Sequence, residues 1–391
     1  MRPRILAILS SAMLAAHATG AAAEDQEKRF TIHPSLQLTW VVDDDPYLDD
    51  GNETEVGYWF APKVELGYRA ESYELGMELG GDIRRYWHDD SLSEAFWRIR
   101  ATGEAGILPG LTVRFSEAYT PQPERIAAPG DETRNLIQTN QVDAEIRYWR
   151  ELPERRELLM TFRGSHFSGE KFDATLLTDG GGIVPFTDFR PDHWEGAADL
   201  EVQTPFGART SLYSRVQLRY RTFSESVVTD QGEVILLVGA RTRRFRNIEL
   251  DAAIGWGLIA FKSRDSVRRF VGEGSLRYRL PNGWSWRVSA ANRFVLDASG
   301  HNFVETTGRM GIQKFISDLV SVSLAAFVSR LENDAWGTAE NLFGGGEVRL
   351  RGQIARYTQL SLTYRHWVNG GDYSVDDFNQ DRVALEITFR R

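Results

Sequence analysis

The stretch VRRFVGEGSLRYRLPNGWSWRVSAANRFVLDA, residues 267–298, alternates with a period of two on both sides of a turn. Phe270, Gly272, Gly274, Leu276, Tyr278 and Leu280 interleave with Val271, Glu273, Ser275, Arg277 and Arg279. Beyond the turn, Trp284, Trp286, Val288 and Ala290 interleave with Ser285, Arg287, Ser289 and Ala291. One set is apolar and aromatic, the other rich in Arg, Glu and Ser. Pro281 ends the first strand by removing a ladder donor, and Asn282-Gly283 predicts a two-residue hairpin turn with positive φ. A soluble sheet shows the same alternation, so the fold is decided by how often the unit recurs.

It recurs along the whole chain. Val56, Tyr58, Phe60, Pro62, Val64, Leu66 and Tyr68 share one face of an early strand, and Tyr73, Leu75, Met77 and Leu79 follow after a short turn. Long polar connections, such as the acidic Asp43-Asp44-Asp45, alternate with short ones at Pro109-Gly110, Pro153 and Pro205-Phe206-Gly207. The weakest region is 223–247, read as a short strand at 234–241 and a turn at 242–247. Counting it gives about 18 strands, and the even parity of bacterial outer-membrane barrels favours that count. Strands of about 9–11 spanning residues with short turns on one side and longer loops on the other suit a barrel. Aromatics near strand ends (Trp40, Tyr58, Tyr86, Trp87, Tyr119, Tyr148, Tyr220, Trp284, Tyr364) read as interfacial girdles. The expectation is an all-β transmembrane antiparallel up-and-down barrel of about 18 strands over 30–389.

Composition narrows the classes further. The chain has 391 residues, no Cys, 35 Gly, 12% aromatics, and five Lys among 46 basic residues. Thiol and zinc-thiolate chemistry are therefore excluded. No apolar run reaches the length of a spanning helix, whereas a barrel hides its apolarity by alternation. A net charge of -9 argues against a nucleic-acid partner. Arg2 and Arg4, an apolar run over 5–16 and the small Ala21-Ala22-Ala23 read as a signal peptide, residues 1–23, followed by one barrel domain, 24–391.

The export signal, the alternation and the terminal strand Arg382-Val383-Ala384-Leu385-Glu386-Ile387-Thr388-Phe389 resemble outer-membrane β-barrels of Gram-negative bacteria. Leu66-Gly67-Tyr68-Arg69 and Gly80-Gly81-Asp82-Ile83-Arg84-Arg85-Tyr86 are similar to a group of β-barrel porins, some associated with exopolysaccharide export machinery. The resemblance implies the cell outer membrane as location, with outer-membrane lipid and the barrel assembly machinery as partners; the homotrimer common among porins stays open. One departure is that Arg390 and Arg391 follow Phe389, where such barrels commonly end on the aromatic.

With the apolar register toward lipid, the other register faces a lumen and carries Arg98, Arg100, Arg114, Arg147, Arg163, Arg215, Arg219, Arg277, Arg279, Arg287, Arg293, Arg349, Arg351 and Arg365. Two readings compete. A guanidinium is always charged and pairs bidentately with carboxylate or phosphate, so these residues suit a path for polar or anionic small solutes. Alternatively they pair with Asp143, Glu145, Glu201, Glu249, Asp251, Glu273, Glu347 and Glu386 and stiffen the wall. The first reading gives a porin-like channel, with an exporter of acidic polysaccharide and a closed structural barrel as alternatives. His166-Phe167-Ser168 looks like the His-x-Ser pair of outer-membrane phospholipases, but no residue to orient the His is identifiable, so no enzyme is expected. The remaining His show no metal-ligand spacing, and neither a metal nor a cofactor is expected. The longest irregular stretch, 168–192 with Gly180-Gly181-Gly182, has two readings: a segment that folds inward and narrows the lumen, or a mobile outer loop that stands outside it.

Overall fold

The computed structural model describes residues 29–44, 54–88, 93–123, 136–169, 173–177, 183–187, 192–224, 230–245, 247–262, 265–296, 302–332, 340–371 and 378–390. The signal peptide expected at 1–23 lies outside them. Twenty strands run in chain order: β1 Arg29–Asp43, β2 Glu55–Arg69, β3 Tyr73–Tyr86, β4 Glu94–Leu108, β5 Leu111–Pro123, β6 Leu136–Leu152 and β7 Arg156–Gly169. Then come β8 Asp173–Leu177, β9 Ile183–Thr187, β10 His193–Pro205, β11 Thr210–Phe223, β12 Gln231–Phe245 and β13 Ile248–Phe261. The last are β14 Val267–Arg279, β15 Trp284–Leu296, β16 Asn302–Phe315, β17 Val320–Glu332, β18 Glu340–Ala355, β19 Thr358–Gly371 and β20 Phe378–Arg390.

Eighteen of these form one antiparallel up-and-down sheet, closed where β1 pairs with β20 from Ser35↔Arg390 to Asp43↔Arg382. The doubtful region is a full wall strand: β12 runs to Phe245, so the turn expected at 242–247 is mostly strand. Nor is 168–192 structureless, since β8 and β9 pair as a separate hairpin; Gly180-Gly181-Gly182 falls outside the described residues. The hairpin at Pro281 also differs from expectation. Only Gly283 has positive φ, at 82°, and its N–H donates to the Leu280 carbonyl. A wider turn with one left-handed glycine thus replaces the two-residue loop.

Alternation sorts the side chains. In β1, β2, β6, β7 and β10 through β19 the odd-numbered residues share the inward register; in β3, β4, β5 and β20 the even-numbered ones do. On the outward register Trp97 is 67% exposed, Val238 64% and Ile254 62%, whereas inward Val41 and Tyr213 are 0% and 2% exposed. A continuous exposed belt of large apolar side chains is costly in water and fits the hydrocarbon of a bilayer. Among the described residues no helix is long and apolar enough to cross a membrane. Tyr86, expected in a girdle, is an exception: it points inward and is buried.

Short turns gather at the end holding Arg29 and Arg390, and the longer connections at the other. In outer-membrane barrels these ends face the periplasm and the exterior. Near the loop end, Asp43 is fully buried on the inward face, ion-paired to Arg382 at 2.8 Å and accepting from the Gln380 amide at 2.8 Å. The acidic stretch 43–45 is therefore a closure clamp at its first residue and no free surface loop; Asp45 lies outside the described residues.

Candidate functional site: the inner wall

All fourteen arginines expected on the inner face stand on the inward register. What separates them is their partners. From β3 to β12 nearly every guanidinium has a carboxylate on the neighbouring strand. Arg98 pairs with Asp82 at 3.2 Å and Arg114 with Glu104 at 2.7 Å. Glu145 alone draws in Arg163 at 3.0 Å, Arg147 at 3.1 Å and Arg114 at 3.7 Å. Arg215 lies between Glu201 at 2.7 Å and Glu273 at 3.1 Å, and Arg219 between Glu195 at 3.2 Å and Glu233 at 3.3 Å. Period-two alternation generates this, because residues opposite each other in adjacent antiparallel strands share a face within reach of a salt bridge.

Between β14 and β18 the pattern thins. Arg277 and Arg279 share Glu249 at 3.7 and 3.9 Å, and Arg349 and Arg365 share Glu347 at 3.0 and 2.6 Å. Arg293 pairs with Glu305 at 2.8 Å. Arg287 and Arg351 are exposed and have no carboxylate partner among the described residues. Arg309 of β16 is equally exposed and unpaired, and sequence reasoning missed it. Its alternation against the outward Met310 was the available signal. None of the three has a carboxylate opposite it: Arg287 stands between Gly311 and a second guanidinium, Arg277, Arg309 between Ser289 and Phe327, and Arg351 between Ser321 and Ser361. Arg100 is a further exposed, unpaired guanidinium, on β4 with Glu78 as its cross-strand neighbour. Also missed were Arg221, Arg241 and Arg382, all ion-paired on the inward register.

The two sectors face each other. Since β8 and β9 stand outside the wall, β5 and β6 are nine positions from β16 and β17 in a ring of eighteen strands, which is directly across. A recess of about 570 Å³ lies in the first sector, lined by Glu104, Asp143, Glu145 and Glu195 with Arg114 and Arg163. Across the lumen, carboxylates held in salt bridges therefore face guanidinia that have no carboxylate partner among the described residues.

The second sector also narrows at its loop end. The β13–β14 ladder continues to Ile259↔Val267, and that of β15–β16 to Leu296↔Asn302, but the β14–β15 ladder stops at Gly272↔Asn292. Beyond that point β15 leaves the wall on its inner side. Phe294 and Val304 belong by alternation to the outward face, yet each is only 6% exposed, in an apolar cluster with the inward Ile235, Leu237, Ile259 and Val271. A Cβ on Gly257, an inward position of β13, would overlap the Phe294 ring. The end of the β15–β16 hairpin thus lies over the inner face of β13 and β14, and an apolar contact holds it there. One reading of the sequence draws the narrowing from 168–192 alone, and here strand ends supply it.

His166 sits on the outward register with its ring 4.3 Å from that of Trp194. Among the described residues no group of His, Asp and Glu could hold a metal ion.

No protein-family model matches the chain, and no curated protein matches it in sequence. Solved structures do match in shape. The Pseudomonas aeruginosa OpdK structure with vanillate superposes with a TM-score of 0.53 at 12% identity, covering 92% of this chain and 99% of that one. OccAB4 of Acinetobacter baumannii gives 0.54 at 10% identity, with 94% and 99% covered. OccK9 (OpdG) of Pseudomonas aeruginosa gives 0.52 at 13% identity, with 93% and 98% covered. At such identities the match speaks for the fold, a closed eighteen-strand barrel of the outer-membrane porin type.

Proposed function

We propose that the barrel is a passive porin-type channel for small polar solutes with a preference for anions. The observation that carries this reading is the sector of Arg287, Arg309 and Arg351, unpaired and exposed, opposite the carboxylate recess. A charge already neutralised by a salt bridge offers a passing ion little, whereas a free guanidinium in a lumen attracts carboxylate and phosphate groups. The vanillate seen with OpdK is an aromatic carboxylate, which this reading would admit. The inward end of the β15–β16 hairpin then limits the width of the passage.

The test is the reversal potential of the purified protein in planar bilayers across a salt gradient. Wild type should prefer anions, and the combined Arg287→Ala, Arg309→Ala and Arg351→Ala variant should lose most of that preference at unchanged folding. An unchanged reversal potential would sink the assignment. Phe294→Ala should separately raise single-channel conductance with little change in selectivity, because it loosens an apolar contact and removes no charge.

A further inference from the structure

The membrane-facing surface carries a groove of about 840 Å³ on β6, β7 and β10 through β13. The ladders set Gly164 beside Gly196, and Gly232 beside Ala260, in one row in which the Tyr220 ring stands between Gly196 and Gly232, with Phe162 and Leu218 as the wall toward the turn end. Nothing lies within 4 Å of the place a Cβ would take on Gly164 or Gly196, so the space is open. In hydrocarbon such a depression offers water no polar partner, and acyl chains or another apolar surface must fill it.

A second feature selects between those occupants. Leu258 lines the groove, and its cross-strand neighbour is Arg268, on the outward register of β14 next to the loop end of that strand. Arg268 is exposed and has no partner among the described residues. Lys262, exposed and held by Asp230 at 3.3 Å, follows Ala260 on the same register. A charge at this height sits at the headgroup level of the leaflet at the loop end, the outer leaflet. Groove and guanidinium together call for an occupant that is apolar along its length and anionic at one end. A phosphorylated lipid brings both.

We propose that the groove and Arg268 together bind an anionic glycolipid of the outer leaflet, the phosphorylated, acylated disaccharide that anchors lipopolysaccharide. One acyl chain lies over Gly164 and Gly196 against the Tyr220 ring, and a phosphate meets the Arg268 guanidinium, whose planar fork suits it. The site is independent of whether the lumen conducts.

The test is native mass spectrometry of the detergent-purified barrel with three probes: phosphorylated lipid A, its dephosphorylated form, and phosphatidylglycerol. Wild type should retain phosphorylated lipid A about tenfold more tightly than the dephosphorylated form, the ratio expected of one charge-assisted contact. Arg268→Gln should abolish that ratio, while Gly164→Leu with Gly196→Leu should weaken both lipid A forms. Both variants leave packed side chains untouched, and heat-modifiable gel mobility verifies that they fold. Retention unaffected by filling the groove, no dependence on Arg268, or equal retention of phosphatidylglycerol would overturn the proposal. So would a groove-filled variant that dissociates an oligomer of the wild type, which would make the groove an interface between copies.

Discussion

The inner wall from β3 to β12 and the wall from β15 to β18 are built from the same alternating strands and carry the same cation, yet they differ electrically. In the first, Arg114, Arg147 and Arg163 converge on one carboxylate, Glu145, and Arg215 and Arg219 each lie between two. In the second, Arg287, Arg309 and Arg351 stand beside Gly, Ser, Phe and, for Arg287, another guanidinium, Arg277, with no carboxylate opposite. A guanidinium among carboxylates is a structural tie; one among small neutral residues keeps its field in the lumen. What the difference teaches is that an inward Arg is tied where a carboxylate lies within salt-bridge distance, across the ladder or two residues along its own strand, and is left untied where none does.

Removing single members tests this, and the largest effect is expected where a tie is fully buried. Arg382 and Asp43 are 4% and 0% exposed, so Arg382→Ala leaves a buried carboxylate with the Gln380 amide for compensation. A loss of about 3–5 kcal/mol is expected in urea unfolding. Arg309→Ala should change stability by less than about 0.5 kcal/mol. Equal costs for both would break the comparison.

Next comes the register itself. Leu66→Arg places a charge toward lipid near mid-strand and should cost about 2–4 kcal/mol, while the inward Glu65→Arg should be tolerated. Heat-modifiable mobility and folded yield separate the two. A smaller effect is expected for the triple Arg287, Arg309 and Arg351 to Ala variant. Three charges about 8 Å from a passing ion contribute about 0.5 kcal/mol each in water, so anion preference should fall about tenfold at low salt. Arg163→Ala, in the tied sector, should move the reversal potential far less, since Glu145 keeps Arg114 and Arg147.

The smallest effect is a pH dependence at the rim. Asp230 accepts from the Phe223 N–H and from Lys262, and the backbone bond first, then the Lys, hold its carboxyl below its usual 3.8 against a smaller opposing effect of burial. A depressed value means that its contribution is complete above pH 3.8 and is lost as pH falls through the lowered value. Asp230→Asn should therefore lower stability slightly at neutral pH, make no difference below the lowered value, and so flatten the acid limb of the stability profile.

Much of this was legible beforehand. The pairing of Trp286 with Val288 on one register and of Arg287 with Ser289 on the other is enough to set faces, because the side-chain period of a strand is two and a one-residue slip would reverse every position. The same rule put all fourteen expected arginines on the inner face. It failed where backbone geometry is not periodic. Region 223–247 reads as a short strand at 234–241 and a turn at 242–247, a division that rests mainly on strand parity, yet the β12 ladder runs to Thr242 and resumes at Phe245 after a register shift. Phe294 reads outward and is buried, since β15 leaves the ladder above Asn292.

By itself the sequence determined the strand class, the barrel and which residues share each face, all consequences of local period and turn chemistry. Tertiary structure alone decided which arginines are free, what faces what across the lumen, and which hairpin turns inward. Those depend on register between strands and on ring closure, which bring Asp43 to Arg382 and set Glu145 opposite the β16–β17 wall across distances in sequence that no local pattern encodes.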